Sequence, residues 1–163
     1  KLAVKSTVRK ELLSLCHEDN WIDPTIGTFL QKKPDRELIF SDPFLKHICE
    51  NYISDQGFHN CVSIFLLNPW THYSLHTDLY RASSINLLIN DHSDSISYFK
   101  ISEPYKLYFK IKELSYEQDS YYLFNSKIPH AITNRDSPRF LLSLTLNKDF
   151  DSMQLELRNQ NFL

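Results

Sequence analysis

The chain predicts an α+β fold that is mainly β, with N-terminal helices set against an antiparallel sandwich or barrel. Three observations point there. Apolar residues recur at helical spacing before residue 60, then give way to about eight short segments rich in β-branched and aromatic residues. Eleven Phe, nine Tyr and two Trp in 163 residues supply the bulk for a substantial core. No repeat or low-complexity linker interrupts the sequence, so a single domain over 1–163 is expected: a helical or irregular part (1–60), a β core (61–150) and a tail (151–163).

The elements follow in order. Ser6 or Thr7 is placed to cap a first helix running to about Cys16, with Val8, Leu12, Leu13 and Cys16 at helical spacing. In SDPFLKHICENYISD, Ser41 or Asp42 supplies a cap and Pro43 fits the first turn. Phe44, Leu45, Ile48, Cys49, Tyr52 and Ile53 make its apolar stripe. The intervening WIDPTIGTFLQKKPDRELIF is punctuated by Pro24 and Pro34 and reads as irregular chain that can lie over a site. From Cys61, the segments CVSIFLLN, THYSLHTD, SSINLLIN, SISYFKI, KLYFKIKEL, SYYLFN, HAITN and RFLLSLTLN read as strands. Helices preceding such a unit are expected to buttress one of its faces. In the tail from Asp151 to Leu163, the alternation of Met153, Leu155 and Leu157 points to an edge strand.

Composition narrows the function classes. Acidic and basic residues nearly balance at a net charge of −2, and no Lys/Arg block stands out, so a nucleic-acid partner is not expected. Cys16, Cys49 and Cys61 lack CxxC spacing and sit among apolar neighbours, as buried free thiols of a reducing compartment do. No apolar run is long enough to span a bilayer, and KLAVKST is too short an apolar segment for a signal peptide. A soluble cytoplasmic protein without a membrane partner is the expectation; oligomeric state is left open.

The chemistry concentrates in HYSLHTDLYRASSINLLIN. Residues i and i+2 of a strand point the same way, so His76 and Asp78 project side by side. HxD occurs three times: His17–Asp19 falls at a helix end, and His92–Asp94 lies in a cluster of turn formers. Only His76–Asp78 lies at a strand end with a distal histidine to match. That histidine is His130, which opens a later strand after enough chain for several strands between. Two imidazoles and one carboxylate on one face, with positions left open, suit non-haem Fe(II). Arg139 follows at the start of RFLLSLTL, a charged fork able to take a carboxylate through two parallel hydrogen bonds. The plain alternatives are a polar pair on a wet strand and a strand-edge arginine in a surface ion pair. It is the combination, not any one residue, that favours a site.

In HTD, then PHAITN, then PR, the sequence resembles the Fe(II)- and 2-oxoglutarate-dependent oxygenases, over roughly Asn68–Asn147. HAITNRDSPRFLLSLTL looks most like the prolyl- and aspartyl-hydroxylase branches. The resemblance implies a double-stranded β-helix, a cupin-like jelly roll, in keeping with the strand count. It also implies Fe(II) on His76, Asp78 and His130, with Arg139 on the distal carboxylate of the co-substrate 2-oxoglutarate. Dioxygen and a small-molecule or peptide substrate would complete the reaction, releasing succinate and CO2. Several relatives carry Ser or Thr two residues after the arginine, where this chain has Leu141. The second co-substrate contact then falls to Ser143, or to Tyr73, Tyr98 or Tyr108.

Other residues carry weaker readings. His72 shares the strand face but lies about 13 Å from His76, too far to share an ion. Arg81 can reach a substrate carboxylate, pair with Asp78 behind the metal, or sit solvated in a loop. Asn86 alternates inward with Ser84 and Leu88, to bond substrate or to serve as a buried structural amide. Trp21 and Trp70 read as core or rim packing. Rival classes are a non-oxygenase cupin-type metal- or sugar-binding jelly roll, a purely structural β domain, and a nucleic-acid demethylase disfavoured by the charge balance.

Overall fold

A computed structural model describes residues 1–22, 29–53, 57–90, 95–102 and 107–163. The described elements run α1 (Arg9–Cys16), β1 (Phe29–Lys32), α2 (Arg36–Phe40), α3 (Pro43–Tyr52), α4 (Phe58–Cys61), β2 (Val62–Leu67) and β3 (His72–His76). Then follow β4 (Ser83–Leu88), β5 (Ser95–Ser102), β6 (Leu107–Ser115), β7 (Tyr121–Asn125), β8 (His130–Thr133), β9 (Arg139–Leu146) and α5 (Phe150–Asn159). The strands form two antiparallel sheets, a larger one ordered β1-β2-β9-β4-β7 and a smaller one ordered β3-β8-β5-β6. This is the jelly roll expected, with helices behind one sheet.

The two faces of the larger sheet bury different partners. Ile64 and Leu66 of β2, Ile85 and Leu87 of β4, and Phe140, Leu142 and Leu144 of β9 pack with Leu12, Leu45, Ile48, Met153 and Leu157 of the helices. The alternate residues look into the space between the sheets, where Leu88 and Leu141 meet Tyr98, Tyr116, Tyr122 and Phe124. β4 and β9 are therefore buried on both sides.

The α3 helix forms where the sequence places it. Asp42 caps it, accepting from the Phe44 and Leu45 N–H groups, Pro43 occupies the first turn, and the expected stripe is buried from Phe44 to Tyr52, with Ile53 half-buried at the C-cap. The same carboxylate also accepts from Thr7 N, Thr7 Oγ1 and Tyr121 Oη at 2.8–3.0 Å, binding three parts of the chain to one buried group. Thr7 is thus drawn to Asp42 and caps nothing; the N-cap position of α1 falls on Val8.

Three further expectations are corrected. The segment before α3 is not irregular throughout: FLQK pairs with β2 as edge strand β1, and RELIF forms α2. Residues 23–28 of that segment lie outside the described residues. The C-terminal segment is a helix, not an edge strand. Asp149 caps α5, Met153 and Leu157 are buried one turn apart, and Leu155 is 61% exposed. Trp70 is not packed but 78% exposed, whereas Trp21 stacks on Phe140 at 5.7 Å as rim packing. Cys16, Cys49 and Cys61 are buried free thiols, as expected. Among the described residues, no helix is long and apolar enough to cross a membrane.

Candidate metal centre

The smaller sheet brings the two histidines together. β3 and β8 run antiparallel with His76 directly opposite His130, and their rings lie 4.3 Å apart. The β3 ladder is irregular between Tyr73 and His76, and the strand ends at His76. Asp78 therefore lies just beyond the strand, its N–H donating to the Ser126 carbonyl at 3.0 Å. One ligand atom from each of His76, Asp78 and His130 lies within 4.8 Å of the others, and Asp78 Oδ1 is 3.7 Å from His76 Nε2.

Hydrogen bonds orient both rings in the same way. His76 Nδ1 donates to the Ser74 carbonyl at 2.7 Å, and His130 Nδ1 donates to the Ile128 carbonyl at 2.8 Å. A carbonyl only accepts, so each Nδ1 carries a proton, which leaves Nε2 as the atom of each ring to bind a cation. Burial lowers the His130 pKa below its ordinary value, opposed by the Ile128 carbonyl and Asp78 and helped by His76 and Arg81. The neutral imidazole, the form that binds metal, is the favoured one.

A cavity of about 200 Å³ opens beside Asp78. Asp78, Arg81 and Arg139 contribute its charge, and Phe29, Phe65, Leu67, Tyr73, Ile132 and Leu141 form its apolar wall. Arg139 is 3% exposed at the first position of β9, opposite Leu67 of β2. The arginine that the sequence singles out thus shares one enclosed space with the Asp78 carboxylate, and Leu141 lines the same space.

The remaining sequence candidates have definite places. Arg81 Nε donates to Asp78 Oδ2 at 2.6 Å and its Nη1 to Ser143 Oγ at 3.1 Å. Ser143 Oγ donates in turn to Asn86 Oδ1 at 2.8 Å, joined there by Ser84 Oγ at 3.1 Å. Asn86, 2% exposed, donates from Nδ2 to Tyr116 Oη at 3.3 Å. Tyr98 packs on Phe124 and edge-on to His130, and burial raises its pKa far above the ordinary phenol value. Tyr73 meets His76 at 4.2 Å. His72 is exposed and bonded to Thr133 Oγ1, away from the triad. The Tyr108 side chain and the His92–Asp94 pair lie outside the described residues.

Sequence reasoning missed Tyr116. Its ring lies 5.6 Å from the Arg139 guanidinium carbon, a cation–π contact. Tyr116 comes just after β6, and only the return of that hairpin over β9 brings it to Arg139, so no spacing signal marked it.

No family model matches the chain, and no curated protein matches it. Among solved structures it is similar to a prolyl-4-hydroxylase of Pseudomonas putida, at a TM-score of 0.54 and 15% identity over 85% of this chain and 84% of that one. Weaker likenesses are to the CENP-C cupin domain of Drosophila melanogaster (TM-score 0.42, 8% identity, 77% of this chain and 75% of that one). Vicilin of Corylus avellana gives a TM-score of 0.43 at 13% identity, over 82% of this chain and 32% of that one. The chain is a double-stranded β-helix carrying a two-histidine, one-carboxylate donor set between its sheets.

Proposed function

We propose that this protein is an Fe(II)- and 2-oxoglutarate-dependent oxygenase that hydroxylates a small molecule or a peptide side chain. One observation carries the reading: Asp78, whose carboxylate is clustered with His76 and His130, lines the same cavity as the buried Arg139.

The residues fit the group they would hold. Two neutral nitrogens and one carboxylate oxygen suit a divalent iron and leave positions for other ligands. Bound there, iron supplies the dioxygen chemistry that couples decarboxylation of 2-oxoglutarate to hydroxylation, so that R–H, O2 and 2-oxoglutarate give R–OH, succinate and CO2. The protein's own part is binding and orientation. Arg139 takes the distal carboxylate through its fork, while Phe65, Leu67, Ile132 and Leu141 cover the carbon chain and keep water from it. Tyr116 supports the guanidinium from its ring face. Ser143 and Tyr98 stand behind this machinery, Ser143 through Arg81 and Tyr98 by packing on His130. We place this activity in a single cytoplasmic domain with no nucleic-acid or membrane partner.

The test is succinate release from 2-oxoglutarate in the presence of Fe(II), dioxygen and ascorbate. Wild type is expected to produce succinate, and Asp78→Ala to lose that turnover while remaining folded. Full turnover in Asp78→Ala would contradict the ligand assignment. Metal uptake with no turnover would leave the cupin-type binding protein instead.

A further inference from the structure

We infer that Arg81 is a positioning residue of the metal centre: it fixes which oxygen of Asp78 faces the cation and anchors that carboxylate to the opposite sheet. The inference rests on the metal-site reading above and adds a residue to it.

The three ligands are held by different means. His76 and His130 belong to strands, and each ring is locked by a carbonyl two residues earlier in its own segment. Asp78 lies past the end of β3, so no ladder fixes its side chain. Its carboxylate is held by Arg81, with Nε donating to Oδ2 at 2.6 Å. Oδ1 is the oxygen left facing His76 Nε2, at 3.7 Å. The two oxygens are thus assigned separate tasks, and single-oxygen ligation follows from that division.

Geometry carries the restraint further. A guanidinium is planar, so once Nε engages Asp78 the direction of Nη1 is set. That direction leads to Ser143 Oγ of β9, at 3.1 Å. Ser143 uses its one proton on Asn86 Oδ1 of β4, and Asn86 Nδ2 reaches Tyr116 Oη, whose ring lies against Arg139. A continuous path of contacts therefore joins the metal carboxylate to the arginine at the other part of the cavity. The loop carrying Asp78 and Arg81 is pinned besides: Ser126 Oγ donates to the Arg81 carbonyl, and Lys127 Nζ to the carbonyls of Asp78 and Leu79. A lysine in place of Arg81 would keep the charge but could not hold Asp78 and Ser143 in one fixed plane.

The test uses Co(II) as the probe, with its visible bands giving both affinity and coordination. Variants are Arg81→Ala, Arg81→Lys, Ser143→Ala and the Arg81→Ala/Ser143→Ala double, each also melted without metal. Both Arg81 variants are expected to bind Co(II) about 10–100-fold more weakly. Their bands should shift as the released Oδ2 becomes free to chelate. Ser143→Ala touches no ligand, yet should weaken Co(II) binding in the same direction by a smaller factor. The double variant should bind no more weakly than Arg81→Ala, because both changes cut one path. Wild-type affinity and bands in both Arg81 variants would overturn the inference and leave the metal site standing. Affinity losses that only follow a lowered metal-free melting temperature would overturn it too, since they would mark a structural role. Failure of the wild type to take up Co(II) would instead remove the metal-site reading itself, and the inference with it.

Discussion

The two faces of β4 and β9 are made by the same strands and do different work. On the face toward the helices, Ile85, Leu87, Phe140, Leu142 and Leu144 form part of one apolar cluster. On the face toward the smaller sheet, Ser84, Asn86, Arg139 and Ser143 are 0–3% exposed and polar, interleaved with Leu88 and Leu141. Burying polar groups costs free energy unless each finds a partner. Ser84, Asn86 and Ser143 find theirs in the Asp78–Arg81–Ser143–Asn86 path, and the Arg139 guanidinium lies against the Tyr116 ring. The outer face stabilises the strands, and the inner face is thereby free to specialise.

Separate roles make separable mutants. The largest effect belongs to the ligands: His130→Ala should abolish tight divalent-metal binding while changing metal-free stability little, as read by isothermal titration and thermal melting. Next comes the outer face. Leu142→Ala, at a fully buried position, should lower stability by about 2–5 kcal/mol in urea and leave the metal affinity of the folded fraction unchanged. Asp42→Ala removes the acceptor of five hydrogen bonds and should cost about 3 kcal/mol by the same assay. Arg139→Ala should weaken 2-oxoglutarate binding about 10–100-fold and Co(II) binding hardly at all. If Leu142→Ala instead erased metal binding from the folded protein, or His130→Ala unfolded it, the division between the faces would fail. The smallest effect concerns the thiols. Burial pushes the pKa values of Cys16 and Cys49 up to about 12, so at neutral pH both stay protonated. Iodoacetamide should modify them only after denaturant is added, which mass spectrometry would report.

The sequence made the β region legible because its strands are short, rich in β-branched and aromatic residues, and bounded by turn residues. It also placed α3, whose cap, proline and stripe agree with one another. The elements it misjudged carried conflicting signals. FLQK sits between prolines and gains its strand only by pairing with β2. Met153, Leu155 and Leu157 alternate like a strand, yet the tertiary contacts select Met153 and Leu157, which a helix places on one face, and leave Leu155 outside. The donor set was readable because its residue types and order are restrictive. Tyr116 and the Arg81–Ser143 contact were not, because each depends on how the hairpins fold back and not on spacing along the chain.

The central claim is that a metal and a 2-oxo acid share one site between the sheets. The most direct measurement is an anaerobic titration of the protein with Fe(II) and then 2-oxoglutarate, followed by visible absorption. A weak charge-transfer band should grow to one equivalent of each, be absent in His130→Ala, and require far more 2-oxoglutarate in Arg139→Ala. No band in the wild type, or an unchanged band in His130→Ala, would contradict the account.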